Sequence, residues 1–191
     1  MDTHQVESPN TMTTSRRQLI ASLLAGSAAV VAAPMLAGRA SAEGATGGTG
    51  APHRDPADNA TLNAGLERET RMAATYRSAV AATSNKDDKA ALSLLLDHHV
   101  AYAQALHGYL ATKVVPPNTA PLANPSGSFA QIAIQLATLE EQTTNIHIDS
   151  LAVIKGLDAS TLIASIVTVE ARHAAALTLV AGATPLIAAG N

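Results

Sequence analysis

The sequence predicts an all-α domain folded as a four-helix bundle with one long crossover, and three observations lead to that prediction. Hydrophobic residues make up 47% of the 191 residues but aromatic residues only 2%, so a core must come from closely packed helices rather than from large rings. Four segments carry apolar residues at helical spacing. A proline-rich stretch separates the second segment from the third, which is the layout of a bundle built from two helical pairs.

The apolar stripes and turn signals set the predicted helix bounds at 58–84, 89–113, 128–154 and 158–181. Asp87 or Asp88 is the candidate N-cap of the second helix, and Asp158 or Ser160 that of the fourth. Residues 114–126 contain four prolines, which forbid helix continuation, so this stretch is the predicted crossover.

The N-terminus has the order of a twin-arginine signal peptide. Arg16 and Arg17 precede the uncharged run from Leu19 to Leu36, and the small-residue site Ala40-Ser41-Ala42 follows. The run is diluted by Ala, Gly and Ser, which favours a cleaved signal over a permanent membrane anchor or a core helix. The sequence therefore predicts export to the periplasm, the cell envelope or the extracellular space, with the twin-arginine translocase as partner during transport.

The predicted organisation is a signal peptide at 1–42, a flexible Gly/Ala/Thr/Pro linker at 43–56, the helical domain at 57–182 and a tail at 183–191. A net charge of −3 with no Trp and one Phe argues against nucleic-acid binding, which needs basic patches and stacking rings. The absence of cysteine excludes disulfides, thiolate nucleophiles and cysteine-ligated metals. A homo-oligomer is left open.

Each predicted helix turns a carboxylate or an imidazole toward its apolar face. These side chains are Glu69, His99, Glu140, Glu170 and His173. Burying an unpaired charge costs several kcal/mol, so such groups must be paired, neutralised or bound to a metal. Glu170 and His173 stand three positions apart, on one helix face, and together suit iron or manganese. A buried hydrogen-bonded pair is the alternative interpretation.

The chain resembles the ferritin-like superfamily over residues 57–182, and more closely exported bacterial ferritin-like domain proteins that follow a twin-arginine signal. The motifs are Leu66-Glu67-Arg68-Glu69 with Tyr76 seven residues on, Leu139-Glu140-Glu141, and Val169-Glu170-Ala171-Arg172-His173-Ala174-Ala175. The resemblance implies carboxylate-bridged iron, with Glu69, His99, Glu140, Glu170 and His173 as ligands. Manganese is the alternative metal.

The second helix departs from the family pattern. With His99 as the imidazole, the family's glutamate falls on Leu96, which cannot bind a metal, while Asp97 points about 100° away. His98, His147 and the Tyr76 hydroxyl are open candidates for the missing ligand. One metal, weak metal binding or a site that has lost its chemistry are the alternatives that this departure leaves.

The sequence thus predicts an exported protein that binds iron or a similar metal and that oxidises ferrous iron or scavenges peroxide. A metal-free helical bundle in the cell envelope, acting as a structural or binding module, is the rival interpretation. Leu96 at a ligand position supports the rival.

Overall fold

The computed structural model describes residues 53–111 and 114–182, which form four α-helices and no strand. The helices are α1 (Asn59–Ala82), α2 (Lys86–Tyr109), α3 (Phe129–Leu151) and α4 (Leu157–Val180). A single 3-10 turn, Pro56–Asp58, precedes α1. The predicted all-α four-helix bundle with one long crossover is confirmed. The predicted signal peptide, linker residues 43–52 and the tail lie outside the described residues.

The N-caps of two helices differ from the predicted ones. Asn85, rather than Asp87 or Asp88, caps α2: its side-chain oxygen accepts from the backbone N–H groups of both aspartates, at 2.8 and 3.1 Å. The helix therefore begins at Lys86, three residues before the predicted start. The predicted caps of α4 are wrong as well, because Gly156 occupies the cap position and supplies no side-chain hydrogen bond.

The predicted crossover runs along α1. The side chains of Asn63 and Thr75 accept hydrogen bonds from the backbone of Val115 and Leu122, at 2.8 and 2.9 Å. The crossover thus returns from the N-terminal end of α1 toward its C-terminal end. Helices α1 and α2 form one antiparallel pair and α3 and α4 the other, with α3 antiparallel to α1.

Asp58 ties the start of α1 to the turn between α3 and α4. The side chain is 2% exposed, and its two oxygens accept from the backbone N–H groups of Lys155 and Gly156, both at 2.8 Å. Nearby, the His53 N–H donates to Asp158 Oδ2 at 2.7 Å. Residues 53–58 are therefore fastened to the end of the bundle where α4 begins.

Two apolar clusters fill the interior, one toward each end. The Met72 cluster includes Met72, Tyr76, Leu92, Leu95, Ile132, Leu136 and Leu177. The Leu62 cluster includes Leu62, Leu66, Tyr102, Leu106, Ile163 and Ile166. Helix α4 is long and apolar enough to cross a membrane by composition, but it packs into both clusters and is a core helix of the bundle. The middle of the bundle, between the clusters, is polar.

Candidate metal centre

Six ionisable side chains form a layer across the middle of the bundle, and every helix contributes to it. The polar layer consists of Glu69, His99, Glu140, His147, Glu170 and His173, each with 0% of its surface exposed. Helical periodicity explains the convergence, since each residue lies on the same face as the apolar residues of its helix. Water cannot solvate these groups, so they must satisfy one another or bind a ligand.

His99 lies at the centre of the polar layer, between two carboxylates. Its Nδ1 is 2.7 Å from Glu69 Oε2 and its Nε2 is 2.9 Å from Glu140 Oε1. Burial alone would lower the pKa of His99, but the carboxylates of Glu140 and Glu69 raise it to about 10. The ring is therefore an imidazolium that donates from both nitrogens.

The same ion pairs keep two of the carboxylates ionised. Burial alone would raise the pKa of Glu69, but the charge of His99 and hydrogen bonds from His147 and His99 lower it to about 2. The pKa of Glu140 is lowered as well, because the charges of His99 and His173 outweigh its burial. Three of the six groups thus form a closed network of opposite charges.

The two carboxylate oxygens of Glu140 differ in their hydrogen bonds. Its Oε1 receives the Tyr76 hydroxyl, His99 Nε2 and, at 3.2 Å, His173 Nδ1. Its Oε2 is buried and makes no hydrogen bond. A buried acceptor without a donor is destabilising, so the free oxygen is suited to a cation.

Neither of the two buried oxygens of Glu170 receives a hydrogen bond from a donor group. Its closest basic neighbour is His147, whose Nε2 is 3.8 Å from Glu170 Oε1. Burial, followed by the charges of Glu69 and Glu140 and a side-chain hydrogen bond with Glu69, raises the pKa of Glu170 well above its usual value. Without a bound cation, this carboxyl group is held in its neutral form, which can donate to Glu69.

His173 connects the polar layer to the second histidine of α2. While its Nδ1 faces Glu140, its Nε2 is 2.9 Å from Nδ1 of His98, and the two rings stack with centroids 5.1 Å apart. His98 is only partly buried. Burial and the charges of His173 and His99 lower the pKa of His98 to about 4, so its ring is neutral. His98 orients His173 from the side opposite Glu140.

Two tyrosine rings enclose the imidazoles. Tyr76 stacks on His99 with centroids 5.0 Å apart, and Tyr102 meets His99 edge-on at 5.7 Å. The Tyr102 hydroxyl is buried without a partner. These rings separate the polar layer from the apolar clusters to which the two tyrosines belong.

The structure brings all five predicted ligands into this one layer, although their role as ligands stays a prediction. Leu96 does not join them: it is partly buried and packs against the Met72 cluster. The sequence prediction left His147 out of the ligand set and kept it as an open alternative. Its position seven residues after Glu140, two turns along the same face, is the signal that points to the layer.

The donor set fits a transition metal. His99, Glu140 and His173 offer ligand atoms within 4.8 Å of one another, and so do Glu69, His99 and Glu170. Imidazole and carboxylate together are the ligands of non-haem iron and manganese, and two histidines with one carboxylate are the facial set of iron(II) sites. Glu140 belongs to the first of these two sets of residues and Glu170 to the second, and both carry buried oxygens without a donor.

A family model described as a ferritin-like domain matches residues 57–183, which include the whole bundle. No curated protein and no solved structure matches the chain.

Proposed function

The chain belongs to the ferritin-like domain family, and from this premise we propose that it is an exported protein that binds iron, or manganese in its place, inside the bundle. One observation carries the proposal. Fully buried carboxylates and imidazoles from all four helices converge, yet three carboxylate oxygens, one of Glu140 and both of Glu170, have no donor. A cation bound among them satisfies these oxygens.

The ligands in this proposal are Glu69, His99, Glu140, Glu170 and His173. Glu140 and His173 offer Oε2 and Nδ1, while His98 holds the His173 ring from behind. Such an outer partner fixes the orientation of a ligating imidazole. Bound iron would supply one-electron redox chemistry, suited to the oxidation of ferrous iron or the removal of peroxide.

We also propose that the folded domain crosses the membrane by the twin-arginine route. The support is the sequence alone, Arg16 and Arg17 before an uncharged run. Since the polar layer needs all four helices, only the folded chain can bind a metal there. A route that carries folded proteins would keep such a metal bound during transport.

The export proposal is tested by changing Arg16 and Arg17 to Lys together. The precursor should then stay in the cytoplasm, because the route reads the arginine pair and not its charge alone. Cell fractionation with an antibody against the mature chain measures the outcome. The matched control is Arg39→Lys, which changes a lone arginine near the cleavage site. Normal export of the double variant would rule out the route.

A metal-free bundle is the second candidate, and the closed network around His99 favours it. The ion pairs from Glu69 to His99 and from His99 to Glu140 satisfy much of the layer without a metal. In that case the chain acts as a structural or binding module of the cell envelope.

Metal content distinguishes the two candidates. Protein purified without added metal is analysed for its elements and then titrated anaerobically with Fe(II) or Mn(II). We expect no more than about two ions per chain, in keeping with the two ligand groups. A metal at 100 times its Kd should add about 2.7 kcal/mol to the free energy of unfolding. The metal-free module would be favoured if the purified protein holds no metal and its melting temperature does not change when either ion is added.

A further inference from the structure

We infer that His147 is itself a metal ligand and takes the place of the carboxylate that is missing at Leu96. The inference rests on the proposed function, and it names a residue on α3 rather than on α2. The missing donor would therefore come from α3 instead of α2, and it would be an imidazole instead of a carboxylate.

The position of the ring is the first support. His147 Nε2 is 2.7 Å from Glu69 Oε1 and 3.8 Å from Glu170 Oε1, and the side chain is completely buried. The nitrogen thus faces two carboxylates from two other helices. Carboxylate and imidazole are donors that suit iron and manganese.

The contacts of the ring are the second support. Nε2, which faces Glu69 and Glu170, is the only ring nitrogen of His147 with a hydrogen-bond partner among the described residues, since Nδ1 is buried without one. The polar contacts of His147 are therefore all on the side of the two carboxylates.

The other candidates for the missing ligand are already engaged elsewhere. His98 bonds to the rear nitrogen of His173, and the Tyr76 hydroxyl donates to Glu140. Leu96 packs against the Met72 cluster and offers no donor atom. Among these, His147 is the residue that faces Glu170.

The resulting centre has two unequal halves. His99, Glu140 and His173, whose ligand atoms lie within 4.8 Å of one another, supply two imidazoles and one carboxylate. On the other side, His147 Nε2 faces Glu69 and Glu170, so this half supplies two carboxylates and one imidazole. The half with more carboxylates should prefer the harder ion, because oxygen ligands suit Mn(II) better than imidazole does.

The test compares His147→Gln with wild type in the full mature chain, using Co(II) as the probe ion. Glutamine keeps an N–H that can donate to Glu69 but offers no imidazole. We expect a metal-free melting temperature near that of wild type, a Co(II) affinity lower by about tenfold or more, and an altered visible spectrum of the bound ion. His107→Gln, which changes an exposed histidine of α2, is the matched control and should change none of these.

A second measurement does not depend on the variant. In Co(II)-loaded wild type, each coordinated imidazole should give a strongly shifted exchangeable N–H resonance in the proton NMR spectrum. Three such resonances would support His99, His147 and His173 as ligands, and two would overturn the role of His147. Equal Co(II) affinity of wild type and His147→Gln would overturn it too, while leaving the proposed function intact. Failure of wild type to bind Co(II), Fe(II) or Mn(II) would remove both.

Discussion

Glu170 is the residue whose environment is least satisfied in the described part of the bundle. Both of its oxygens are buried without a donor, and the carboxylates of Glu69 and Glu140 lie close enough to disfavour its charge. A neutral carboxyl group relieves the repulsion and can donate to Glu69, but its carbonyl oxygen still lacks a donor. A divalent cation removes both problems, since it binds the oxygens and neutralises the charge.

Glu170→Gln should separate metal binding from folding. Glutamine has the shape and charge of the protonated carboxyl group, so the metal-free protein at neutral pH should melt within a few degrees of wild type. Metal affinity should fall by roughly a hundredfold, since a four-ligand site worth about 10–16 kcal/mol draws about 3 kcal/mol from each ligand. Calorimetric titration with Fe(II) or Mn(II) measures the affinity.

The matched control is Glu141→Gln, which changes the exposed glutamate beside Glu140. It should bind metal as wild type does. If Glu170→Gln bound metal equally well, Glu170 would not be a ligand.

At the scale of single residues, most of the polar layer could be predicted from the sequence. The stripes placed Glu69, Glu140 and Glu170 inside because a carboxylate among apolar residues at helical spacing must face the core. The importance of His147 could not be predicted in the same way. Helix periodicity gives the face of a residue, but the distance from His147 to Glu69 depends on how α3 is rotated against α1.

At the scale of elements, the four helices followed from periodicity and the crossover from its prolines, while the caps did not. Asn85 lies between the predicted bounds of the first and second helices, yet its extended backbone lets its side chain accept from two N–H groups and start α2 there. Asp158 fits a capping pattern, but its carboxylate instead binds the backbone of His53. Capping patterns recur along a chain, and tertiary contacts decide which of them is used.

Asp58 is the contact between elements for which we expect the largest effect on stability. Asp58→Ala removes an acceptor from two backbone N–H groups at the turn between α3 and α4. Hydrogen bonds to a charged group contribute about 1.5–3 kcal/mol each, so the free energy of unfolding should fall by about 3 kcal/mol. Urea denaturation of the metal-free protein measures this change.

Two further variants check that explanation. Asp58→Asn keeps one side-chain oxygen acceptor and should lose about half as much stability. Asp97→Ala removes an exposed aspartate of α2 and should have an effect within about 0.5 kcal/mol. Equal effects of Asp58→Ala and Asp97→Ala would contradict the proposed tie.

At the scale of the whole molecule, the polar layer makes the stability of the metal-free protein depend on pH. His99 has a pKa raised from 6.5 to about 10, so its stabilising contribution is complete below pH 6.5 and is lost as the pH rises through 10. The raised pKa of Glu170 acts in the same direction, from pH 4.5 upward, but the pKa of His98, lowered from 6.5 to about 4, offsets this loss up to pH 6.5. Glu69 has a pKa lowered from 4.5 to about 2, so its contribution is lost as the pH falls below 4.5, and Glu140 acts likewise.

The metal-free protein should therefore be most stable between about pH 4.5 and 6.5, with a melting temperature that falls toward about pH 9. Metal should reverse the alkaline trend, because ions compete with protons for Glu170 and the imidazoles and bind more tightly as the pH rises. The gap in melting temperature between metal-loaded and metal-free protein should thus widen from about pH 5.5 to about pH 8. Calorimetric scans with a chelator or with Mn(II) measure the melting temperature of the metal-free and the metal-loaded protein at each pH.

Glu170→Gln has no carboxyl group to titrate at this position. Its metal-free melting temperature should fall less steeply with rising pH, and added metal should raise that temperature little or not at all. A gap that stayed constant with pH would mean that the metal binds away from the polar layer.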